Sequence, residues 1–195
     1  MGKIFYIMGK SASGKDTLYR RLLEEKELQL KPLIPYTTRP IRSGEAEGVE
    51  YHFTDLVGLQ ALEAKGKVVE QRCYHTVHGD WYYFTVDDGN LDLENNSYLG
   101  IGTLPAFEKM RSYFGEKAVI PIYVSVDDGV RLERALMRER TQKEPKYKEM
   151  CRRFLADEED FDEEKRRKLG LNREYYNDDL EKCLKEIVIM IKQQS

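Results

Sequence analysis

The sequence has few of the features that mark membrane, secreted or nucleic-acid-coating proteins. Its 195 residues contain no apolar run near the roughly 20 residues that a membrane-spanning helix requires. Its three cysteines, Cys73, Cys151 and Cys183, are scattered and odd in number, which favours reduced thiols over a disulfide framework. The 32 basic and 35 acidic residues give a formal net charge of -3, which excludes a broadly basic surface. No secretory signal pattern opens the chain, so we expect a cytoplasmic protein without a membrane or nucleic-acid partner.

The sequence contains the alternating pattern of an α/β protein. Hydrophobic residues make up 41% of the chain and charged residues 34%, which is typical of a globular protein of one domain. Short apolar runs over residues 4–8, 98–102 and 119–126 predict buried parallel strands, joined by helices. We predict a further strand over residues 30–36, a hairpin over 68–74 and 81–86, and helices over 17–27, 56–65, 105–114, 127–141, 149–168 and 178–193. The charges of the helix 149–168 predict a solvated face.

Residues 9–17, GKSASGKDT, carry the strongest functional motif. The spacing G-x-x-x-x-G-K lies between a predicted strand and a predicted helix, which is the context of a phosphate-binding loop. Small residues let backbone N–H groups surround a phosphate, and Lys15 adds a mobile positive charge. A glycine-rich structural turn is the weaker alternative, because it explains neither Lys15 nor the two flanks. The motif predicts nucleotide binding by Gly9, Ser11, Ala12, Ser13, Gly14, Lys15, Asp16 and Thr17.

Asp16 occupies the position where this motif usually has a serine or threonine that holds Mg²⁺. A carboxylate is a hard oxygen ligand that suits Mg²⁺, and the hydroxyl of Thr17 follows it directly. Without a metal ion, the same carboxylate would repel the phosphates of a nucleotide. We therefore expect Asp16 and Thr17 to be the metal ligands.

Residues 37–53, TTRPIRSGEAEGVEYHF, resemble the guanylate kinase signature T-T-R-x-x-R-x-G-E-x-x-G-x-x-Y-x-F. The resemblance continues through Glu70, residues 82–85, the arginines of residues 134–153 and the segment 177–180, NDDL. It implies a P-loop kinase of the α/β class, with a parallel core sheet, helices on both faces, a small mixed α/β monophosphate-binding lobe and a helical lid. The implied division is a core of residues 1–35, 97–135 and 169–195, a lobe of about 36–96 and a lid of about 136–168.

The resemblance also implies a reaction, the ATP-dependent phosphorylation of GMP or dGMP with Mg²⁺ and closure of the lid. Paired arginines with a nearby tyrosine can hold one terminal phosphate, and a carboxylate suits the N1–H and N2–H₂ donors of guanine. The implied acceptor-binding residues are Arg39, Arg42, Glu45, Tyr51, Glu70, Tyr82 and Thr85. The implied catalytic residues are Lys15, Arg134, Arg138 and Arg153. Asn177 would lie beside the adenine of ATP, unless it or Asp178 caps a helix.

The sequence departs from the family pattern at several positions. Gly100 and Gly102 stand where the family has D-x-D, and we hypothesise that Asp16 restores the missing negative charge. Pro35 replaces a serine that donates to phosphate. Residues 83–84, Tyr-Phe, replace the usual Gly-Ser or Gly-Thr, so the hydroxyl beside guanine O6 is lost or moved to Thr85.

These departures keep two other functions open. One is a kinase of the same fold that acts on a different nucleotide or phosphorylated small molecule. The other is a non-catalytic guanylate-kinase-like binding module, which the intact phosphate loop and the lid arginines disfavour. A homodimer is likewise left open.

His75 and His78 lie near the end of a predicted strand, three residues apart. At that spacing they do not share one face of a strand. Because we identify no cysteine or carboxylate that would complete the ligand set, we expect no zinc site there.

Overall fold

The structure, a computed structural model, describes residues 1–76 and 79–194 of the chain. Its strands are β1 (Ile4–Met8), β2 (Lys31–Pro32), β3 (Tyr36–Thr37), β4 (His52–Phe53), β5 (Val68–Thr76), β6 (Gly79–Val86), β7 (Tyr98–Ile101), β8 (Val119–Ser125) and β9 (Glu174–Tyr176). Its helices are α1 (Lys15–Glu24), α2 (Leu56–Ala64), α3 (Leu104–Phe114), α4 (Asp128–Arg140), α5 (Tyr147–Asp160), α6 (Glu163–Lys168) and α7 (Leu180–Gln194).

A parallel sheet in the order β2-β7-β1-β8-β9 forms the core. All five residues of β1 are buried, as its unbroken apolar run predicts. Phe5 and Ile7 pack in the cluster that contains α1 and α7, whereas Ile4 and Tyr6 pack in the cluster that contains α3. Helices therefore cover both faces, and the predicted fold class is confirmed. Among the described residues, no helix is both long and apolar enough to span a membrane.

A second, mixed sheet in the order β4-β3-β6-β5 lies between β2 and β7 in the sequence. Strands β5 and β6 form the predicted antiparallel hairpin, with Arg72 opposite Tyr83 and Cys73 opposite Tyr82. Residues directly opposite each other share a face of the sheet. One face of this hairpin therefore carries Arg72 and Tyr83, and the other face carries Cys73 and Tyr82.

Two of the predicted elements are wrong in their extent. The single strand over residues 30–36 is two short strands in different sheets, since Pro32 and Pro35 have no N–H for a continuous ladder. The single helix over residues 149–168 is two helices, α5 and α6. It breaks because Phe161 is buried against Tyr123 and the carboxylate of Asp162 accepts a hydrogen bond from the Lys165 N–H, which caps α6.

Candidate functional site

The phosphate loop follows β1 and ends at the first turn of α1, where the sequence motif places it. A Cβ atom at Gly9 would lie 2.4 Å from the carbonyl oxygen of Val124, so only glycine fits the close approach to β8. Gly14 has a φ of 88°, and Ala12 is held at a φ of 62°, a conformation that is uncommon outside glycine. The loop therefore adopts a defined, locally strained curve in front of the helix N-terminus.

Asn177 is hydrogen-bonded to the phosphate loop. Its side-chain amide donates a 2.7 Å hydrogen bond to the carbonyl of Ser13, and it is 3% exposed. Arg134 donates to the main-chain carbonyl of Asn177 at 3.1 Å, so it too lies close to the loop. The carboxylate of Asp179 accepts from the Lys182 N–H at the start of α7, a position that sequence reasoning gave to Asn177 or Asp178.

Two oxygen donors on the first turn of α1 suit a magnesium ion. The side chain of Asp16 is 78% exposed, and its carboxylate lies 3.4 Å from the Nζ of Lys15. Thr17 follows with a partly buried hydroxyl-bearing side chain. Mg²⁺ prefers oxygen ligands and keeps several waters, so one carboxylate and one hydroxyl at an open helix end fit its chemistry.

Two of the three predicted catalytic arginines meet in one cavity. Arg138 of α4 and Arg153 of α5 line a space of about 240 Å³ that also contacts Ser11 of the phosphate loop. Arg153 donates to the carboxylate of Glu149 at 2.9 Å. Arg152 and Arg153 together lower the pKa of Glu149 to about 2. The cavity thus joins cations of α4 and α5 to the phosphate loop, while Arg134 does not line it and instead contacts Asn177.

A group of charges that sequence reasoning missed fastens α5 to the phosphate loop. The Ser11 N–H donates to the carboxylate of Asp157 at 2.7 Å, and Lys10 donates to Glu158 at 2.5 Å. Arg131, 1% exposed, pairs with both acids and with Asp128, and lies over the ring of Phe154. The prediction that this helix presents a solvated charged face is wrong for Asp157 and Glu158, because both contact the phosphate loop.

Two residues after β3, Arg39 is the centre of a buried polar cluster. Its guanidinium is 2% exposed and forms a bidentate ion pair with Glu45 at 2.8 and 3.0 Å. It also donates to the hydroxyl of Tyr83 at 3.2 Å and lies over the ring of Tyr51. Arg42 contributes its main-chain N–H to Glu45 at 2.8 Å. The structure thus brings Arg39, Glu45 and Tyr51 together and adds Tyr83, whereas Arg42 joins them through its main-chain N–H.

A buried carboxylate lies on β5, the strand that pairs with the Tyr83 strand of this cluster. Glu70, whose side chain is 2% exposed, accepts a 2.8 Å hydrogen bond from the Thr85 hydroxyl and lies 3.3 Å from the Nε of Arg72. Tyr82 is on the opposite face, packed with the Leu59–Phe84 cluster, so the structure does not bring it to the other predicted acceptor residues.

Tyr6 fills the space beside two glycines, Gly100 in β7 and Gly102 just after this strand. A Cβ atom at Gly100 would lie 2.7 Å from the ring of Tyr6, which is 2% exposed. Burial, with the negative charge of Glu70, raises the pKa of the Tyr6 phenol, whereas the positive charge of Arg72 lowers it. A neutral phenol therefore stands where the resemblance implies carboxylates.

On the outer face of the hairpin, Cys73, His75 and Asp80 place their ligand atoms within 4.8 Å of one another. From the sequence we identify no cysteine or carboxylate beside His75, and this is wrong. Cys73, on the same strand, and Asp80, opposite His75 on β6, share its face of the hairpin. All three residues are exposed, and the His75 Nδ1 lies 2.7 Å from the Asp80 carboxylate. His78 lies outside the described residues.

Comparisons with known proteins agree with the fold described above. The family model described as guanylate kinase matches residues 1–194. The guanylate kinase of Aromatoleum aromaticum is 40% identical over 81 residues, which are 42% of this chain and 38% of that protein. That of Mycoplasma pneumoniae is 37% identical over 102 residues, 48% of this chain and 41% of that protein. The matched segments thus span about two fifths of these relatives. The crystal structure of guanylate kinase from Anaplasma phagocytophilum superposes with a TM-score of 0.66 at 20% identity, over 99% of this chain and 86% of that one.

Proposed function

This chain belongs to the guanylate kinase family, and on that premise we propose that it transfers the γ-phosphoryl group of ATP to GMP or dGMP. The observation that carries the proposal is Glu70. Its carboxylate is almost fully buried, and its Oε2 atom has no hydrogen-bond partner within the described chain. A buried acceptor that has no hydrogen bond is costly even beside the charge of Arg72, and the adjacent N1–H and N2–H₂ donors of guanine would satisfy it.

The donor side of the proposed site is the phosphate loop with Lys15. Its backbone N–H groups and the Lys15 ammonium would bind the β- and γ-phosphates of ATP. Asp16 and Thr17 would hold Mg²⁺, which offsets negative charge on the donor phosphates when it is bound. Arg138 and Arg153, across the cavity, would stabilise the charge that spreads over the transferring group.

The acceptor side is the cluster around Arg39. Glu45 and Tyr83 hold the Arg39 guanidinium in place, so it would meet the acceptor phosphate already oriented. The Arg42 side chain and the Tyr51 hydroxyl would complete the grip on that phosphate. An oxygen of the acceptor phosphate would then attack the γ-phosphorus while the bond to the β–γ bridging oxygen breaks, which releases ADP. No general base is needed, because the attacking phosphate oxygen is already ionised.

The proposal includes the division of the chain into core, acceptor lobe and lid, and a cytoplasmic location. The predicted boundary between residues 135 and 136 falls within α4, which runs unbroken from Asp128 to Arg140. We therefore place the hinge of the lid just after that helix, at residues 141–146, which form the connection to α5.

The test is a coupled assay of ADP release from Mg-ATP, with GMP, dGMP, AMP, CMP, UMP or no acceptor. We expect turnover with GMP and dGMP only. Lys15→Met should abolish it, whereas Lys185→Met, on the exposed face of α7, should leave it unchanged. Turnover with a different acceptor would favour the alternative kinase, and loss of both turnover and ATP binding in the intact chain would favour a non-catalytic module.

A further inference from the structure

We propose that Arg72 is a specificity-determining residue of the acceptor site, which donates a hydrogen bond from its guanidinium to O6 of guanine. This inference rests on the proposed function, since it names how the same pocket recognises its acceptor base. Nothing in the family signature quoted above includes this residue. It follows from the position of Arg72 beside Glu70 on β5.

The first observation is a donor and an acceptor that lie side by side and are paired by charge but not by a hydrogen bond. The Arg72 Nε and the Glu70 Oε2 are 3.3 Å apart, as an ion pair. Both atoms are buried, and neither has a hydrogen-bond partner in the described part of the chain. Buried polar atoms are nearly always hydrogen-bonded in folded proteins. Two adjacent exceptions in the acceptor lobe therefore indicate a ligand that satisfies both.

The second observation concerns the edge of guanine that such a pair fits. Guanine presents the O6 acceptor next to the N1–H and N2–H₂ donors, so a guanidinium beside a carboxylate matches it group for group. Arginine to O6 is a favoured contact in guanine recognition generally. With its phosphate held by Arg39, adenine would bring the N1 acceptor toward Glu70 and the N6 donor toward Arg72, which is a mismatch at both positions.

The third observation is that the other candidate donors are engaged elsewhere. The Thr85 hydroxyl donates to the Oε1 of Glu70, so it positions that carboxylate. Phe84, where the family pattern has a hydroxyl, is fully buried in the cluster on the other face of the hairpin. The Tyr6 phenol interacts with the charges of both Glu70 and Arg72, whereas the nearby phenols of Tyr51 and Tyr74 interact with Arg72. Arg72 is thus the donor that replaces the missing hydroxyl, and Tyr6 is the competitor that an experiment must separate.

The experiment compares GMP with 6-thio-GMP, in which sulfur, a weaker acceptor, replaces O6. The dissociation constants are measured by calorimetry and kcat/KM by the coupled assay. The proteins are the wild type, Arg72→Met, Arg72→Lys, Tyr6→Phe and a control, Arg20→Met, on the exposed surface of α1. We expect the wild type and the control to prefer GMP about tenfold. In Arg72→Met this preference falls to about one, because affinity for GMP drops while affinity for 6-thio-GMP changes little. Arg72→Lys retains part of it.

Each other outcome has a separate meaning. Equal loss of GMP and 6-thio-GMP binding in Arg72→Met, or loss of the preference in Tyr6→Phe but not in Arg72→Met, would overturn the role of Arg72. GMP binding without turnover in the wild type would contradict the proposed function, yet the calorimetric ratios would still test Arg72. Failure of the wild type to bind GMP would overturn both. Because Arg72→Met could unfold, its thermal transition is recorded and Arg72→Lys provides the second comparison.

Discussion

The phenolic oxygen of Tyr6 lies 2.1 Å from the position that a Cβ atom would take at Gly102. The ring also approaches the corresponding position at Gly100, and Tyr6 is buried between β1 and the α3 layer. The phenol cannot turn away without leaving a packed core. The tyrosine and the two glycines therefore form one packing unit, and the carboxylates that the resemblance implies there are sterically excluded.

This packing predicts a coupled pair of substitutions. Gly102→Asp should destabilise the chain by about 3 kcal/mol, because the new side chain overlaps the Tyr6 phenol. In the double variant Tyr6→Val/Gly102→Asp the cost should be well below the sum of the two single costs, since the smaller side chain makes room. Urea unfolding of the three variants and the wild type measures this coupling. Additive costs would show that the two positions do not compete for the same space.

Asp16 carries the second prediction. If its carboxylate restores the negative charge that Gly100 and Gly102 lack, Asp16→Ser should raise the Mg²⁺ concentration needed for half-maximal turnover. The same change should tighten ATP binding measured in the presence of a chelator, because the bare carboxylate repels phosphate. Asp160→Ser, at the exposed end of α5, is the matched control. Unchanged turnover at limiting Mg²⁺ would contradict the hypothesis.

The contact between Asp157 and the Ser11 N–H gives the third prediction. The carboxylate accepts the hydrogen bond of an amide of the phosphate loop, and its charge opposes an incoming phosphate. Asp157→Asn keeps the size and an acceptor oxygen but removes the charge. We expect ATP to bind about three- to tenfold more tightly in calorimetry, by an effect of the size typical for one nearby charge at a protein surface. Asp160→Asn, one turn farther from the loop, should bind ATP like the wild type.

The contrast between Tyr82 and Tyr83 shows what the sequence could and could not predict. Local patterns determine the phosphate loop and most helices, so β1 and the position of the loop were predicted correctly, and the helix predicted over 17–27 overlaps α1. The face of a strand, in contrast, depends on the register of the whole hairpin, and a shift of one residue exchanges the two faces. A register irregularity between Val68 and Glu70 lies on the partner strand, β5. The resemblance implied Tyr82, whereas the structure turns Tyr83 toward Arg39.

The same limit applies to the arginines. The sequence alone does not distinguish Arg72, Arg131 and Arg152. Their roles depend on the partners that the fold places beside them. Arg131 pairs with acids on α5, Arg72 pairs with the buried Glu70, and Arg152 pairs with Glu149 at the surface. Through-space pairing of this kind follows from tertiary packing and has no periodic signal in the chain.

The pairing of Arg39 with Glu45 predicts a dependence of stability on pH. The Arg39 guanidinium, followed by the Arg42 N–H, lowers the pKa of the Glu45 carboxyl in the folded chain. A lowered folded pKa stabilises the fold above the ordinary glutamate pKa of about 4.3, and this stabilisation is lost as the pH falls through the folded value. Glu45→Gln should therefore melt at a lower temperature than the wild type at pH 7, and the gap should close as the pH is lowered toward 3. Thermal unfolding across that range measures the gap, with Glu94→Gln, an exposed residue, as the control. A gap that stays constant with pH would mean that the ion pair contributes through packing rather than through charge.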